Sequence, residues 1–255
     1  MFFKRRRRER LRQRPFPEEW QGVLRENVPY YRALPPEDQA ELRGHVQVLL
    51  AEKHFEGCGG LELTDEIKVT IAGFAAVLLL HRKTDYYPRL ESILVYPHEF
   101  EVERKRHGPV GDYVEETDVL AGESWREGVV ILSWDDVREG AADETDGYNV
   151  VLHEFAHQID QGSGRGDATP VLSDPGTFLE WARVLGHEYD QLLDDVDAGR
   201  DTLIDDYGAE DPSEFFAVVT ESFFELPREM RRRHRRLYKA LSLFYQQDPA
   251  SLGET

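Results

Sequence analysis

Residues 148–160 read Tyr-Asn-Val-Val-Leu-His-Glu-Phe-Ala-His-Gln-Ile-Asp. Apolar positions at 150, 151, 152, 155, 156 and 159 recur at helical spacing, so the segment predicts one helix that ends near Gly162. Within it lies a His-Glu-x-x-His motif, His153-Glu154-Phe155-Ala156-His157. Side chains four apart share a helical face, with Cβ atoms roughly 5–6 Å apart, so both imidazoles can converge on one zinc ion at about 2.0–2.1 Å. Glu154, one position on from His153, stands beside such an ion and can take a proton from its water. Two histidines and a glutamate on an apolar helix are costly to bury unless something polar satisfies them, and a metal does so.

The third ligand has to come from elsewhere, because the positions that would continue a longer His-containing motif hold Asp160 and Ser163. A downstream helix over 212–225 (PSEFFAVVTESFFE) supplies Glu214 and Glu221, seven apart and therefore on one face of an otherwise apolar helix. Glu214 has a competing reading. Asp211, Pro212 and Glu214 form a capping-box pattern that accounts for the carboxylate without a metal. Glu221 is either the alternative ligand or a group that supports one.

Around these helices the periodicity predicts two or three short helices over residues 17–53, interrupted at Pro29 and Pro35-Pro36, and a helix capped by Thr64 running to about Arg82. Strands are expected at 92–96 and at 128–134 (GVVILSW), helices at 175–195 and 228–246, and a loop from Gln161 to Asp174 beside the motif helix. The domain organisation expected is a basic, disordered tail at 1–14, an N-terminal helical subdomain at 15–64 and a zinc metallopeptidase core at 65–250.

Composition narrows the class. The chain has 255 residues and a formal charge of −19, yet residues 1–14 carry eight Lys or Arg against one Glu, leaving 23 basic against 49 acidic side chains in the rest. Such an acidic body repels nucleic acid, and the basic tail reads as a solvated arm. Cys58 is the single cysteine, which excludes an intrachain disulfide and a four-cysteine zinc site. The longest apolar run, Ile71 to Leu80, falls short of the roughly 20 residues of a membrane span. Charge directly after Phe3 argues against a secretory signal, so a cytoplasmic location is expected.

The motif helix, GVVILSW at 128–134 and YGAEDPSEFFAV at 207–218 together resemble the Mlc titration factor A family of glucose-regulated bacterial metallopeptidases, whose catalytic core is also similar to that of anthrax lethal factor. In that family a catalytic tyrosine stands seven residues before the zinc-binding glutamate, and Tyr207 and Glu214 have that separation. The resemblance implies zinc on His153, His157 and Glu214, Glu154 as general base and Tyr207 as a transition-state donor. It also implies an α+β fold, a mostly helical zincin-type, gluzincin-like domain with a small sheet. A peptide or protein is the implied substrate, with strand 128–134 as the edge on which it aligns. A sugar-responsive transcriptional repressor is the partner the family name implies. The competing reading is a binding protein that sequesters a regulator around a structural zinc. Three protein ligands beside Glu154 argue against it, since structural zinc is normally closed by four.

Overall fold

The computed structural model describes residues 2–98, 100–107, 113–120, 122–125, 128–162 and 175–252, with backbone alone for Phe2, 100–107, 113–120, 122–125, Gly162 and 175–178. The first helices are α1 (Phe2–Arg12), α2 (Glu18–Asn27), α3 (Pro29–Ala33) and α4 (Pro36–Glu52). Pro29 and Pro36 occupy first helical positions, where a missing N–H is no loss, so the prolines that break the periodicity start new helices. Strand β1 (His54–Gly57) leads to α5 (Asp65–Val77), whose first turn is capped by Thr64 Oγ1 accepting from the Ile67 N–H at 3.2 Å. Strands β2 (Ser92–Tyr96), β3 (Phe100–His107), β4 (Tyr113–Leu120), β5 (Gly122–Trp125) and β6 (Val129–Ser133) follow. The remainder is helical: α6 (Trp134–Ala142), α7 (Val150–Gly162), α8 (Pro175–Asp197), α9 (Pro212–Glu225), α10 (Pro227–Arg233) and α11 (Arg235–Tyr245).

The main sheet has the order β1-β2-β6-β5, with β1, β2 and β6 parallel and β5 antiparallel to β6. Strands β3 and β4 form a separate antiparallel pair. The result is the expected mostly helical α+β fold with a small sheet. One cluster of buried side chains extends from Leu11 to Ala250, and β1 adds a strand from before residue 64 to the sheet, so the boundary expected there crosses shared structure. Helix α7 packs on α9, α5, α6 and the β5–β6 side of the sheet, which places the His-Glu-x-x-His motif between sheet and helices.

Three expectations need correction. Strand 128–134 is not an edge: β6 lies between β2 and β5, and the outer position falls to β5, which has too little apolar alternation to announce itself. The helix expected over 228–246 divides at His234, whose backbone leaves helical geometry (φ −122°, ψ 54°) while Nδ1 meets Glu188 Oε2 at 2.8 Å. The basic tail is helix α1 rather than a disordered arm. Leu11 is buried against the body, and Arg8 pairs with Glu52 at 2.8 Å while its guanidinium lies 4.6 Å from the Tyr86 ring centroid. Arg7 also meets Glu52, and Lys4 meets Asp85, so acids of the body relieve the repulsion that would otherwise unfold an arginine run. The loop expected from Gln161 to Asp174 lies, beyond Gly162, outside the described residues.

Arg8 is the centre of this docking, because its half-buried guanidinium serves both Glu52 and Asp85. Arg8→Ala should release α1, so that trypsin cleaves within residues 4–12 much faster than in the wild type while the remaining chain resists. Unchanged cleavage would show that Leu11 alone holds the helix.

Candidate metal centre

Asn149 begins the site. Its Oδ1 accepts from the Leu152 N–H at 3.1 Å and so caps α7, fixing the rotation of that helix before either histidine is reached. His153 and His157, four apart, then project on one face with ring centroids 4.9 Å apart. On the facing helix α9, Asp211 caps the first turn by accepting from Ser213 N at 2.6 Å and Glu214 N at 3.0 Å. Glu214 does not close a capping box on itself. Its Oε2 turns to His153 Nε2 at 3.1 Å and His157 Nε2 at 3.2 Å, and the two Nε2 atoms are 3.2 Å apart.

These three atoms form a nearly equilateral triangle, and the outward partners of the rings show which electron pairs face its centre. His153 Nδ1 meets Glu221 Oε2 at 2.8 Å, an acceptor, so Nδ1 carries the hydrogen. His157 Nδ1 meets Ser213 Oγ at 3.1 Å, and the Ser213 hydroxyl donates to Asp160 Oδ2 at 3.2 Å, so again Nδ1 donates. Both Nε2 lone pairs and a carboxylate oxygen are left converging, and only a cation among them makes that arrangement favourable. Ligand atoms on a tetrahedral zinc with bonds of about 2.05 Å are roughly 3.3 Å apart, close to the triangle's sides. The donor set therefore fits a metal, and His153, His157 and Glu214 could hold one.

The carboxylates bias the pocket toward positive charge, whether a proton on an imidazole or a metal ion in its place. Burial would raise the Glu214 carboxyl, but hydrogen bonds and charge from the two imidazoles outweigh it and hold the group below the usual carboxylate range. Burial would lower the His153 imidazole, yet the charge of Glu221 and hydrogen bonds to Glu214 and Glu221 hold it well above its ordinary value. Glu221 Oε1 also accepts from the Asn149 backbone N–H at 2.8 Å, so one carboxylate ties the start of α7 to the first histidine. Behind it, Asn149 Nδ2 donates to Glu225 Oε1 at 3.0 Å.

Glu154 is buried at 4% exposure on α7, between the two histidines in sequence. Tyr207 sits in a 3₁₀ turn, Asp206–Ala209, with its ring centroid 6.0 Å from that of His153 and 45% of its surface exposed. The next residue, Gly208, brings this turn onto α9: a Cβ there would lie 3.3 Å from Leu192 Cδ2 and 3.5 Å from Phe215 Cα. All five residues singled out in the sequence thus stand on α7, on α9 or in the turn packed against α9. Sequence reasoning missed Asn149, Ser213 and Glu225, and gave Asp160 no role. Asn149 had a signal, as a cap-forming residue directly before an apolar periodic run; the others act only across the α7–α9 contact.

A second mixed group, Asp38, Glu41 and His81, differs in the decisive respect. His81 Nε2 faces Asp38 at 3.5 Å while its Nδ1 faces Glu41 at 3.6 Å. A single imidazole cannot turn both nitrogens to one ion, so this is a bridging histidine between carboxylates.

The model of the glucose-regulated metallo-peptidase M90 family matches residues 2–246. The chain belongs to that family. An uncharacterized protein of Synechocystis is 42% identical over 95% of this chain and 89% of its own length. Mlc titration factor A of Serratia proteamaculans is 31% identical over 91% of this chain and 87% of its own, and that of Yersinia pestis 28% identical over 91% and 85%. The match of this metallopeptidase family spans α1 as well as both helices of the candidate centre.

Two predictions follow from these contacts. Glu214→Ala should abolish tight metal binding, whereas Glu221→Ala and Ser213→Ala, which free one imidazole each from its orienting partner, should weaken it about 10- to 100-fold; competition with a chromogenic chelator ranks them, and a reversed order would exclude Glu214 as ligand. Glu225 supplies the second. Burial, with the charges of Glu221, Asp146 and Asp143, pushes its carboxyl up to about 9 against the hydrogen bond from Asn149. A group raised in the folded state stabilises fully below its unfolded value near 4.5 and loses that contribution as pH rises through its folded value. Glu225→Gln should flatten the fall in Tm between about pH 5 and 9, and an unchanged slope would contradict the protonated carboxyl.

Proposed function

We propose that the protein is a zinc-dependent peptidase, with zinc on His153, His157 and Glu214. The observation that carries the reading is the convergence of three electron-pair donors within 3.1–3.2 Å of one another on two packed helices. When bound there, zinc supplies Lewis-acid polarisation of a carbonyl and acidifies water toward a pKa of about 7. Three protein ligands leave a coordination position open, the arrangement of catalytic rather than structural sites.

The chain's own groups complete the chemistry. Glu154 takes the proton of the attacking water on its carboxylate and delivers it to the nitrogen of the leaving amine. Tyr207 donates its phenolic hydrogen to the oxyanion that develops on the scissile carbonyl. Its partial exposure beside His153 is what a donor to an incoming substrate requires. An extended peptide aligns along β5, whose outer side pairs with no other strand among the described residues and which packs against α7.

A second reading is favoured by the name of the Serratia and Yersinia relatives, Mlc titration factor A: the protein binds a transcriptional repressor and acts in the control of sugar uptake genes. A cytoplasmic site of action suits either reading and the single Cys58. No helix among the described residues is long and apolar enough to cross a membrane.

Glu154→Gln should retain zinc and lose hydrolysis of a peptide library, because the amide cannot accept the proton. Tyr207→Phe should lower kcat by about 10²- to 10³-fold, with KM within a few-fold and zinc content unchanged. Wild-type protein that holds zinc and cleaves nothing, with or without chelator, would leave repressor binding as the function.

A further inference from the structure

The twelve residues 228–239 carry seven Arg or Lys against Glu229 alone, in a chain of formal charge −19. All seven cations are exposed. Helix α11 explains the arrangement. Leu237, Tyr238, Leu241, Phe244 and Tyr245 face the core, which leaves Arg235, Arg236, Lys239 and Leu243 along the outer side. Of the acids beside the patch, Glu180 of α8 pairs with Arg183 of its own helix at 2.8 Å and Glu188 with His234 at 2.8 Å.

Apolar surface lies among these charges. Leu243 is 66% exposed and Leu179 69%. Helix α8 is held against α11 by Trp181 on Phe244, with ring centroids 4.9 Å apart, and Glu180, next to Leu179, lies near enough to Arg236 and Lys239 to feel their charge. Leu179 thus lies one residue from a carboxylate that faces the basic surface, and Leu243 lies one helical turn beyond Lys239. Among the described residues, the large apolar side chain with the greatest exposure, Phe3 at 85%, stands on the other basic helix, α1.

We propose that α10 and α11, with the adjoining turn of α8, dock the protein on an anionic lipid surface, the arginines on headgroup phosphates and Leu179 and Leu243 in the interfacial layer. Six of the seven cations are arginine, whose planar fork matches phosphate oxygens two at a time. Basic residues rimming exposed leucines on a helix are the pattern of interfacial binding. A polynucleotide fits less well. Single strands are held by stacking on aromatic rings, and the outer side of α11 offers leucine instead. A lipid plane touches one side of the molecule and its field falls off within a Debye length of about 8 Å, so the charge of the facing surface counts for more than the net charge.

Sedimentation with vesicles of phosphatidylcholine, with and without phosphatidylglycerol, tests the assignment on the full chain. Binding is expected only to the anionic vesicles, and should be lost at about 0.5 M salt, where screening is strong. The Arg232→Ser, Arg236→Ser, Lys239→Ser triple variant should bind at least tenfold more weakly, since each cation near an anionic surface contributes about fivefold. Leu179→Ser with Leu243→Ser should weaken binding severalfold and leave it salt-sensitive. Circular dichroism and unchanged zinc content establish that the variants fold. No binding to anionic vesicles, equal binding to neutral ones, or wild-type binding by the triple variant would each overturn the proposal. So would tighter binding of a labelled DNA duplex or single-stranded RNA that ignores the leucine changes.

Discussion

The contact between α7 and α9 is the constraint on which the rest of the structure depends. It brings His153, His157, Glu214 and Glu221 together in surroundings built from Phe155, Phe215, Phe216 and Phe223, all essentially inaccessible to water. A buried ion left without its partner costs about 3–5 kcal/mol, so each of these groups can be retained only if the facing helix completes it. Glu221 completes His153, and Ser213 with Asp160 completes His157. What these pairs leave over is a set of inward-facing lone pairs, and that residue of the arrangement is the candidate metal centre. Packing, polar satisfaction and chemistry are here one requirement.

The same logic extends to the start of α7. Asn149 serves four purposes with one side chain and one backbone N–H: it caps α7, holds Glu221, meets Glu225 and reaches the Gly140 carbonyl at 3.4 Å. The register of α7 against the sheet and of α9 against α7 is thereby set from a single point. Gly208 seats the turn that bears Tyr207 between α8 and α9, where a Cβ would lie 3.3 Å from Leu192 Cδ2 and in ordinary contact with Phe215 and Val218.

Much of this was legible in the sequence because the relevant signals are local. His153 and His157 announce themselves by spacing, the Thr64 cap by residue type, and β2 by a short apolar run with Ile93, Val95 and Tyr96 that the structure places at the residues expected. What escaped depends on contacts between distant segments. Strands β1 (HFEG) and β5 (GESW) are four residues each, too short to show alternation, and they exist because β2 and β6 offer open sides to pair with. The break at His234 has no proline or glycine to mark it and arises from Glu188 on another helix. Helix α1 looked like a disordered arm because its stabilising acids, Glu52 and Asp85, lie 44 and 77 residues away from Arg8. Ser213 and Glu225 were invisible for the same reason.

Anomalous diffraction at the zinc absorption edge, from crystals of the metal-loaded protein, shows directly whether His153, His157 and Glu214 hold one zinc ion. One strong peak per chain is expected, about 2.0–2.1 Å from His153 Nε2, His157 Nε2 and a carboxylate oxygen of Glu214. A peak confined to Asp38, Glu41 and His81, or no peak in a folded chain saturated with zinc, would contradict that ligand set.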